Sequence, residues 1–141
     1  MFTIDASVWV NADSSSEPGW AASRAFLDRV AAASMPVVVP TLLLVEVAAA
    51  ISRAKRNAEL AREYSERMTA IPFVRWIVLD EAMAGRAAAL AADHGLRGAD
   101  AVYAAVAVTH ACELVSLDPE HLTRLTPVLR VRTPSQHMAL D

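Results

Sequence analysis

The sequence predicts an α/β fold in which a central parallel sheet of about five strands is flanked by helices on both faces. Short apolar segments alternate with segments of helical spacing, which favours strands connected by helices. The strand segments are continuous runs rich in Val rather than alternating apolar and polar residues, as in sheets that are covered on both faces. Hydrophobic residues make up 55% of the 141 positions, enough for the core of one compact domain.

The strands are predicted from apolar runs that are bounded by turn residues. Val37–Val39 lies between Pro36 and Pro40, and a run this short suits a buried strand better than a helix. The same reasoning predicts strands over Phe2–Asp5, Val74–Leu79 and Leu114–Leu117, and an edge strand over Val128–Val131.

The helices are predicted from apolar spacing and from their caps. Residues 18–33 carry an apolar stripe that includes Trp20 and Phe26. Thr41 is placed to cap the next helix, and Asp80 is placed to cap an alanine-rich helix that ends near His94. Further helical segments are predicted over Glu59–Met68, Ala99–Cys112 and Pro119–Arg124.

One domain is predicted over residues 1–132, because no internal repeat, linker or change in composition divides the chain. The polar segment 133–141 is expected to form a frayed C-terminal tail. Thirteen Lys and Arg against sixteen Asp and Glu leave a net charge of −3. No overall positive field therefore attracts nucleic acid, and any such contact has to be local.

Missing motifs exclude several function classes. Four glycines cannot supply a P-loop or a GxGxxG turn, and the lack of HExxH, paired-cysteine and GxSxG motifs excludes the usual zinc and serine hydrolases. The longest stretch without charged residues, 30–45, is interrupted by two prolines, so no transmembrane helix is predicted. Cys112 is the single cysteine and the N-terminus has no signal-peptide pattern, so a cytoplasmic location is expected.

Four acidic residues lie within or at the end of apolar segments, where an unpaired charge is costly to bury. Asp5 and Asp118 each end a predicted strand, Glu46 lies in the helix after the second strand, and Asp100 begins the helix before the fourth. Ligands bind beyond the carboxyl ends of strands in such sheets, so the four acids are expected at one edge. Clustered carboxylates need cations, and oxygen ligands without His or Cys favour Mg²⁺ or Mn²⁺ and phosphodiester hydrolysis.

Each acid also has a purely structural interpretation. Asp5, Asp100 and Asp118 can act as turn or cap residues, and for each one alone this alternative stays open. Glu46 has apolar neighbours on both sides in the sequence, which disfavours an ordinary exposed glutamate. Ser7 is interpreted either as a helix cap or as a residue that orients Asp5.

The motifs that contain these acids resemble those of the PIN domain family, in the same order along the chain. They are Ile4-Asp5-Ala6-Ser7, Leu44-Val45-Glu46-Val47, the run from Gly98 to Ala105, and Leu114-Val115-Ser116-Leu117-Asp118. The resemblance extends from Phe2 to Val131 and is closest to the single-domain VapC-type toxins of toxin–antitoxin pairs. In place of the acid–Phe pair that often follows the last motif, this chain has Glu120 and His121.

The resemblance implies a PIN-like three-layer fold and a metal-dependent endoribonuclease that uses a metal-activated water to cleave RNA. The residues that it implies as holders of Mg²⁺ or Mn²⁺ are Asp5, Glu46, Asp100 and Asp118. Ser7 and Ser116 match the small hydroxyl residues beside the first and last acids.

The resemblance also implies a homodimer that is neutralised by a cognate antitoxin. An amphipathic antitoxin helix is expected in a groove between the Trp20 helix and the helices of residues 41–68, with an antitoxin arginine placed among the four acids. The alternative is a catalytically silent PIN-like module that acts through protein contacts, which four intact acids disfavour. A phosphoacceptor receiver or phosphatase is also disfavoured, because Lys55 is the only lysine.

Overall fold

The computed structural model describes residues 1–140. Its strands are β1 (Phe2–Ile4), β2 (Val37–Pro40), β3 (Val74–Ile77), β4 (Glu113–Val115) and β5 (Val131–Arg132). Its helices are α1 (Ala6–Ala12), α2 (Trp20–Ala32), α3 (Leu42–Lys55), α4 (Ala58–Thr69), α5 (Glu81–His94), α6 (Gly98–Thr109), α7 (Pro119–Arg124) and α8 (Pro134–Met138). The strands form one parallel sheet in the order β3-β2-β1-β4-β5. The predicted fold class is therefore confirmed.

The centre of the sheet is a topological switch point. Strand β1 pairs with β2 on one side and with β4 on the other, so the chain winds outward from β1 to β3 and then returns to add β4 and β5. Connections that leave β1 and β4 in opposite directions open a crevice at the carboxyl ends of these two strands. Asp5 directly follows β1 and Ser116 directly follows β4, which places both residues at this crevice.

Helix α6 is the central helix of the core. Every residue from Asp100 to Ala107 is buried, and the helix packs against α5 and against β1, β2 and β4. Such a helix is apolar on all sides because it has no solvent-facing surface. Its largest buried side chain is Tyr103, and a hydroxyl buried at this depth needs a hydrogen-bond partner.

The caps of the helices explain part of the acidic pattern. Helix α1, which the sequence analysis did not predict, is capped by Asp5, whose side chain accepts a hydrogen bond from the Ser7 amide. Asp118 caps α7 in the same way, and Asp80 caps α5 as predicted. Thr41 precedes α3, but its side chain makes no capping hydrogen bond.

The C-terminal segment is folded, so the prediction of a frayed tail over 133–141 is wrong for the described residues; Asp141 lies outside them. Thr133 and Gln136 form a capping box that starts α8, which packs against α2 and buries His137. Strand β5 starts later than predicted, because the Val128 and Leu129 amides both bond back to the Leu125 carbonyl in a turn. Within residues 1–140, no helix has the length and apolar character needed to cross a bilayer.

Candidate functional site

Asp5 is held at the carboxyl end of β1 by two serines. Its Oδ2 atom lies 2.5 Å from Ser7 Oγ, 3.1 Å from Ser7 N and 3.3 Å from Ser116 Oγ. Ser7 Oγ accepts a hydrogen bond of 3.1 Å from the Leu117 amide, which ties the start of α1 to the segment after β4. No hydrogen bond from the described residues reaches Oδ1 of Asp5. The two serines therefore orient this carboxylate and leave one of its oxygens available to a ligand.

Glu46 faces the same crevice from α3. Its Oε2 atom accepts a hydrogen bond of 2.5 Å from the hydroxyl of Tyr103. Burial raises the pKa of Glu46, and the negative charges of Asp5 and Asp100 raise it further, while Tyr103 and His121 oppose the shift. Like charges act in this way only when they are close, so three of the four predicted acids share one environment.

Tyr103 can only donate to Glu46. Burial raises the pKa of Tyr103, and the charges of Asp5 and Glu46 raise it further, so its hydroxyl stays protonated. The sequence analysis did not assign this residue to the site. The structure shows that it restrains the Glu46 carboxylate from the buried face of α6.

Arg97 bridges the other two predicted acids. Its Nε atom donates to Asp100 Oδ2 at 2.9 Å, and its Nη2 atom donates to Asp118 Oδ2 at 2.5 Å. Glu120 Oε2 lies 3.7 Å from Arg97 Nε. The side chain of Arg97 is 63% exposed, while those of Asp100 and Asp118 are 10% and 24% exposed. Hydrogen bonding to Asp100, together with the nearby acidic charges, raises the pKa of Arg97.

His121 is fully buried and links the two halves of the site. Its Nδ1 atom lies 2.8 Å from Ser116 Oγ, and its Nε2 atom lies 3.2 Å from Asp100 Oδ1 without the alignment of a hydrogen bond. The Ser116 hydroxyl therefore contacts both His121 and Asp5.

The structure thus brings the four predicted acids, which we call the acidic rim (Asp5, Glu46, Asp100 and Asp118), to one edge of the sheet. Across residues 1–140, no three His, Cys, Asp or Glu side chains are arranged to hold a metal ion. The donor chemistry suits Mg²⁺ or Mn²⁺, because the rim offers carboxylate oxygens only. Asp5 Oδ1 and Glu46 Oε1 accept no hydrogen bond from the described residues, so both oxygens can accept a cation.

A family comparison agrees with this geometry. The family model of the PIN domain matches residues 2–125. The chain belongs to the PIN domain family. No match was found among the curated proteins.

Several solved structures share the fold of this PIN domain at low sequence identity. A toxin–antitoxin complex from Klebsiella pneumoniae is 19% identical over 95% of this chain and 98% of that chain, with a TM-score of 0.68. VapC20 from Mycobacterium tuberculosis, described as a Sarcin-Ricin loop cleaving toxin, is 17% identical over 84% and 91%, with a TM-score of 0.69. FitAcB from Neisseria gonorrhoeae is 20% identical over 96% and 99%, with a TM-score of 0.68.

A cleft of about 620 Å³ opens beside the rim of this PIN domain, where α1 packs against α3. Ser7 and Glu46 line it, and so does Val45, which is 65% exposed. Arg53 lies two helical turns beyond Glu46 on α3, about 10 Å along the axis. An extended polymer that follows the cleft from the rim therefore meets a positive charge at this distance.

Three residues of the PIN domain site were missed or left without a role in the sequence analysis, namely Arg97, Tyr103 and His121. Helical spacing could have indicated two of them, because Arg97 and Tyr103 lie three residues before and after Asp100, where side chains on one helix face meet. The contact of Arg97 with Asp118, 21 residues later, is a tertiary contact that no local pattern predicts.

Proposed function

We propose that this PIN domain is a divalent-metal-dependent endoribonuclease that acts as the toxin of a toxin–antitoxin pair. The observation that carries the proposal is the concentration of the acidic rim at the switch point of the sheet, where the charges of Asp5 and Asp100 add to the effect of burial on the pKa of Glu46. Carboxylates that are held together against their mutual repulsion favour a cation as their partner. Membership of the PIN domain family supports the same chemistry.

The proposed ligands of Mg²⁺ or Mn²⁺ are Asp5, Glu46, Asp100 and Asp118. A divalent cation held by these residues supplies an activated water and offsets the charge that develops on the phosphodiester. Ser7 and Ser116 orient Asp5, and Tyr103 restrains Glu46, so that two carboxylates face the crevice in fixed positions.

The cleft beside the rim is the proposed path of the RNA strand. Its apolar wall accommodates the faces of bases, and Arg53 is placed to contact a backbone phosphate. This arrangement supplies the local contact that a chain with a net charge of −3 needs for binding nucleic acid.

A protein antitoxin is the proposed partner. A groove of about 660 Å³ lies between α1, α2 and α4, and Trp9, Leu27 and Tyr64 line it. The groove expected from the sequence lies between the Trp20 helix and the helices of residues 41–68; the observed groove shares α2 and α4 with that expectation, and α1 takes the place of α3. Apolar grooves of this kind accept amphipathic helices. A second copy of the chain is also a proposed partner, and exposed apolar side chains such as Val78 (66% exposed) and Val108 (46% exposed) are available for such a contact.

The test uses the purified chain on end-labelled RNA, both single-stranded and folded as a stem-loop. Cleavage is expected with Mg²⁺ or Mn²⁺ and not with EDTA, and Mn²⁺ is expected to raise the melting temperature because it binds only the folded state. Glu46→Gln, purified in the same way, controls for contaminating nucleases. A folded chain that cleaves neither RNA and gains no stability from Mn²⁺ would favour the catalytically silent module.

A further inference from the structure

The carboxylate oxygens of the acidic rim fall into two classes. Asp5 and Glu46 each have one oxygen that accepts no hydrogen bond from the described residues. The oxygens of Asp118 are both engaged, because Oδ1 caps α7 through the Glu120 amide at 2.8 Å and Oδ2 pairs with Arg97 at 2.5 Å. One pair of acids is therefore open to a ligand, and the other pair is closed by a cation of the chain itself.

Asp100 is engaged in the same way. Its Oδ2 atom pairs with Arg97 at 2.9 Å and its Oδ1 atom lies 3.2 Å from His121. Arg97 and a divalent cation thus compete for the same oxygens, because a guanidinium charge within 3 Å of an oxygen repels a second cation at its coordination distance of about 2.0 to 2.6 Å.

We propose that Arg97 is a built-in counter-ion of the acidic rim, which a divalent cation displaces from Asp118 when it binds. The inference rests on the proposed function, because it assumes that the rim holds a metal ion. The side chain of Arg97 is 63% exposed, so it can move into solvent without disturbing the core, whereas Asp118 is held in place by its cap. Arg97 lowers the affinity for the cation and keeps the empty rim from bearing four unopposed charges.

The guanidinium of Arg97 and the divalent metal ion compete for binding to the rim. Removing Arg97 is expected to tighten metal binding, since the metal no longer displaces an ion pair, and the effect is reciprocal because metal binding weakens the hold of the rim on Arg97. Arg124 provides a matched control. It is an arginine on the same edge that lies 3.9 Å from Glu120 and donates to the Gly95 carbonyl, and it contacts neither Asp100 nor Asp118.

The experiment is a titration of metal-free protein with Mn²⁺ by calorimetry at constant ionic strength. Arg97→Gln is expected to bind Mn²⁺ about 5- to 10-fold more tightly than the wild type, while Arg124→Gln stays within about twofold. Equal affinities for the wild type and Arg97→Gln would overturn the inference. So would an equal gain in Arg124→Gln, because the effect would then be one of overall charge.

A second measurement follows Arg97 itself in the unsubstituted chain. The Nε–Hε resonance of Arg97, in a ¹⁵N-labelled sample titrated with Mg²⁺, is expected to shift with the same midpoint as metal binding. A resonance that stays unchanged at saturation overturns the inference alone and leaves the metal site standing. If neither the wild type nor Arg97→Gln binds Mn²⁺ or Mg²⁺, the proposed function fails together with the inference.

Discussion

Two clusters of charged side chains among residues 1–140 differ in how their charge is balanced. The second cluster, which we call the C-terminal clasp, consists of Glu113, Arg132 and His137. Glu113 Oε1 lies 3.4 Å from Arg132 Nη1 and 3.1 Å from His137 Nε2. One carboxylate therefore faces two basic side chains, where α8 closes over the start of β4.

The acidic rim has the opposite composition. Its four carboxylates, with Glu120 beside them, share the guanidinium of Arg97 and the buried ring of His121. In a balanced cluster such as the clasp, removing one partner leaves the others uncompensated and lowers stability, whereas an excess of one charge lowers stability until a ligand neutralises it. Neutralising one acid should therefore have opposite effects on stability in the two clusters.

The largest expected effect comes from Glu46→Gln in the rim. We expect RNA cleavage to fall at least about 100-fold, because a proposed metal ligand is lost. The melting temperature in EDTA should rise by about 1–2 °C, since the amide still accepts the Tyr103 hydrogen bond and solvent screening of a half-exposed carboxylate keeps the gain small. Cleavage rates and thermal melts measure the two effects. A lower melting temperature in EDTA would contradict the charge excess.

Glu113→Gln in the clasp should destabilise the chain. It leaves Arg132 and His137 without their carboxylate, which is expected to cost about 1–2 kcal/mol and to lower the melting temperature by about 3–6 °C. RNA cleavage at 25 °C should persist, because Glu113 lies outside the proposed site. Thermal melts of Glu113→Gln and Glu46→Gln in EDTA compare the two clusters directly. If both substitutions change the melting temperature in the same direction, the proposed difference between the clusters is wrong.

Tyr103→Phe removes the hydrogen bond that orients Glu46 and leaves the number of charges at the rim unchanged. We expect Mn²⁺ binding to weaken about tenfold, because Glu46 loses the hydroxyl that restrains it. Tyr64→Phe is the matched control, since the Tyr64 hydroxyl also makes a tertiary hydrogen bond, to the Trp9 carbonyl. Both variants should lose about 1 kcal/mol of stability, and only the first should change the titration. Equal Mn²⁺ affinities in the two variants would show that Tyr103 packs in the core but does not orient Glu46 for metal binding.

The smallest effect is the pH dependence of the clasp. Burial lowers the pKa of His137, and Glu113 opposes the shift. The unfolded chain then binds a proton near its ordinary pKa of 6.5 while the folded chain does not, so this contribution to stability is present above pH 6.5 and is lost as the pH falls below it. Urea denaturation of the wild type and His137→Gln above and below this pH should give a flatter profile for the variant. Parallel profiles would assign the dependence to other groups.

The sequence predicted the positions of the acids better than the side chains that control them. Asp5 and Asp118 follow apolar strands, and the rule that carboxyl ends of parallel strands meet at one edge was sufficient to place them. Arg97 reaches Asp118 through a tertiary contact, so its role as a bridge between Asp100 and Asp118 could not be predicted from local spacing. Arg97 also bears on Asp100→Asn. The clustering of the acids alone predicts that this substitution stabilises the metal-free chain by relieving a repulsion, but the substitution also removes the ion pair with Arg97.

The errors in secondary structure have local causes. Helix α1 has only seven residues, two of them Val, and a segment this short and β-branched is ambiguous by periodicity. Helix α8 begins within Thr133-Pro134-Ser135-Gln136, whose spacing is that of a capping box with Pro in the first turn. This capping signal is present in the sequence and predicts the helix, whereas the polarity of the segment alone predicts a frayed tail.

The burial of α6 from Asp100 to Ala107 has a consequence for how the rim opens. Asp100 begins this buried segment and Tyr103 lies within it. The hydrogen-bonded backbone amides that follow Asp100 can exchange with solvent only when the core unfolds, so their exchange should be among the slowest in the chain. Asp118 caps α7, a helix of six residues near the surface, whose amides can exchange through local fraying. The rim therefore connects a segment with slow amide exchange, in α6, to a segment with faster amide exchange, in α7. Binding of Mg²⁺ should slow amide exchange in α7 and leave it unchanged in α6, which hydrogen exchange with and without Mg²⁺ measures.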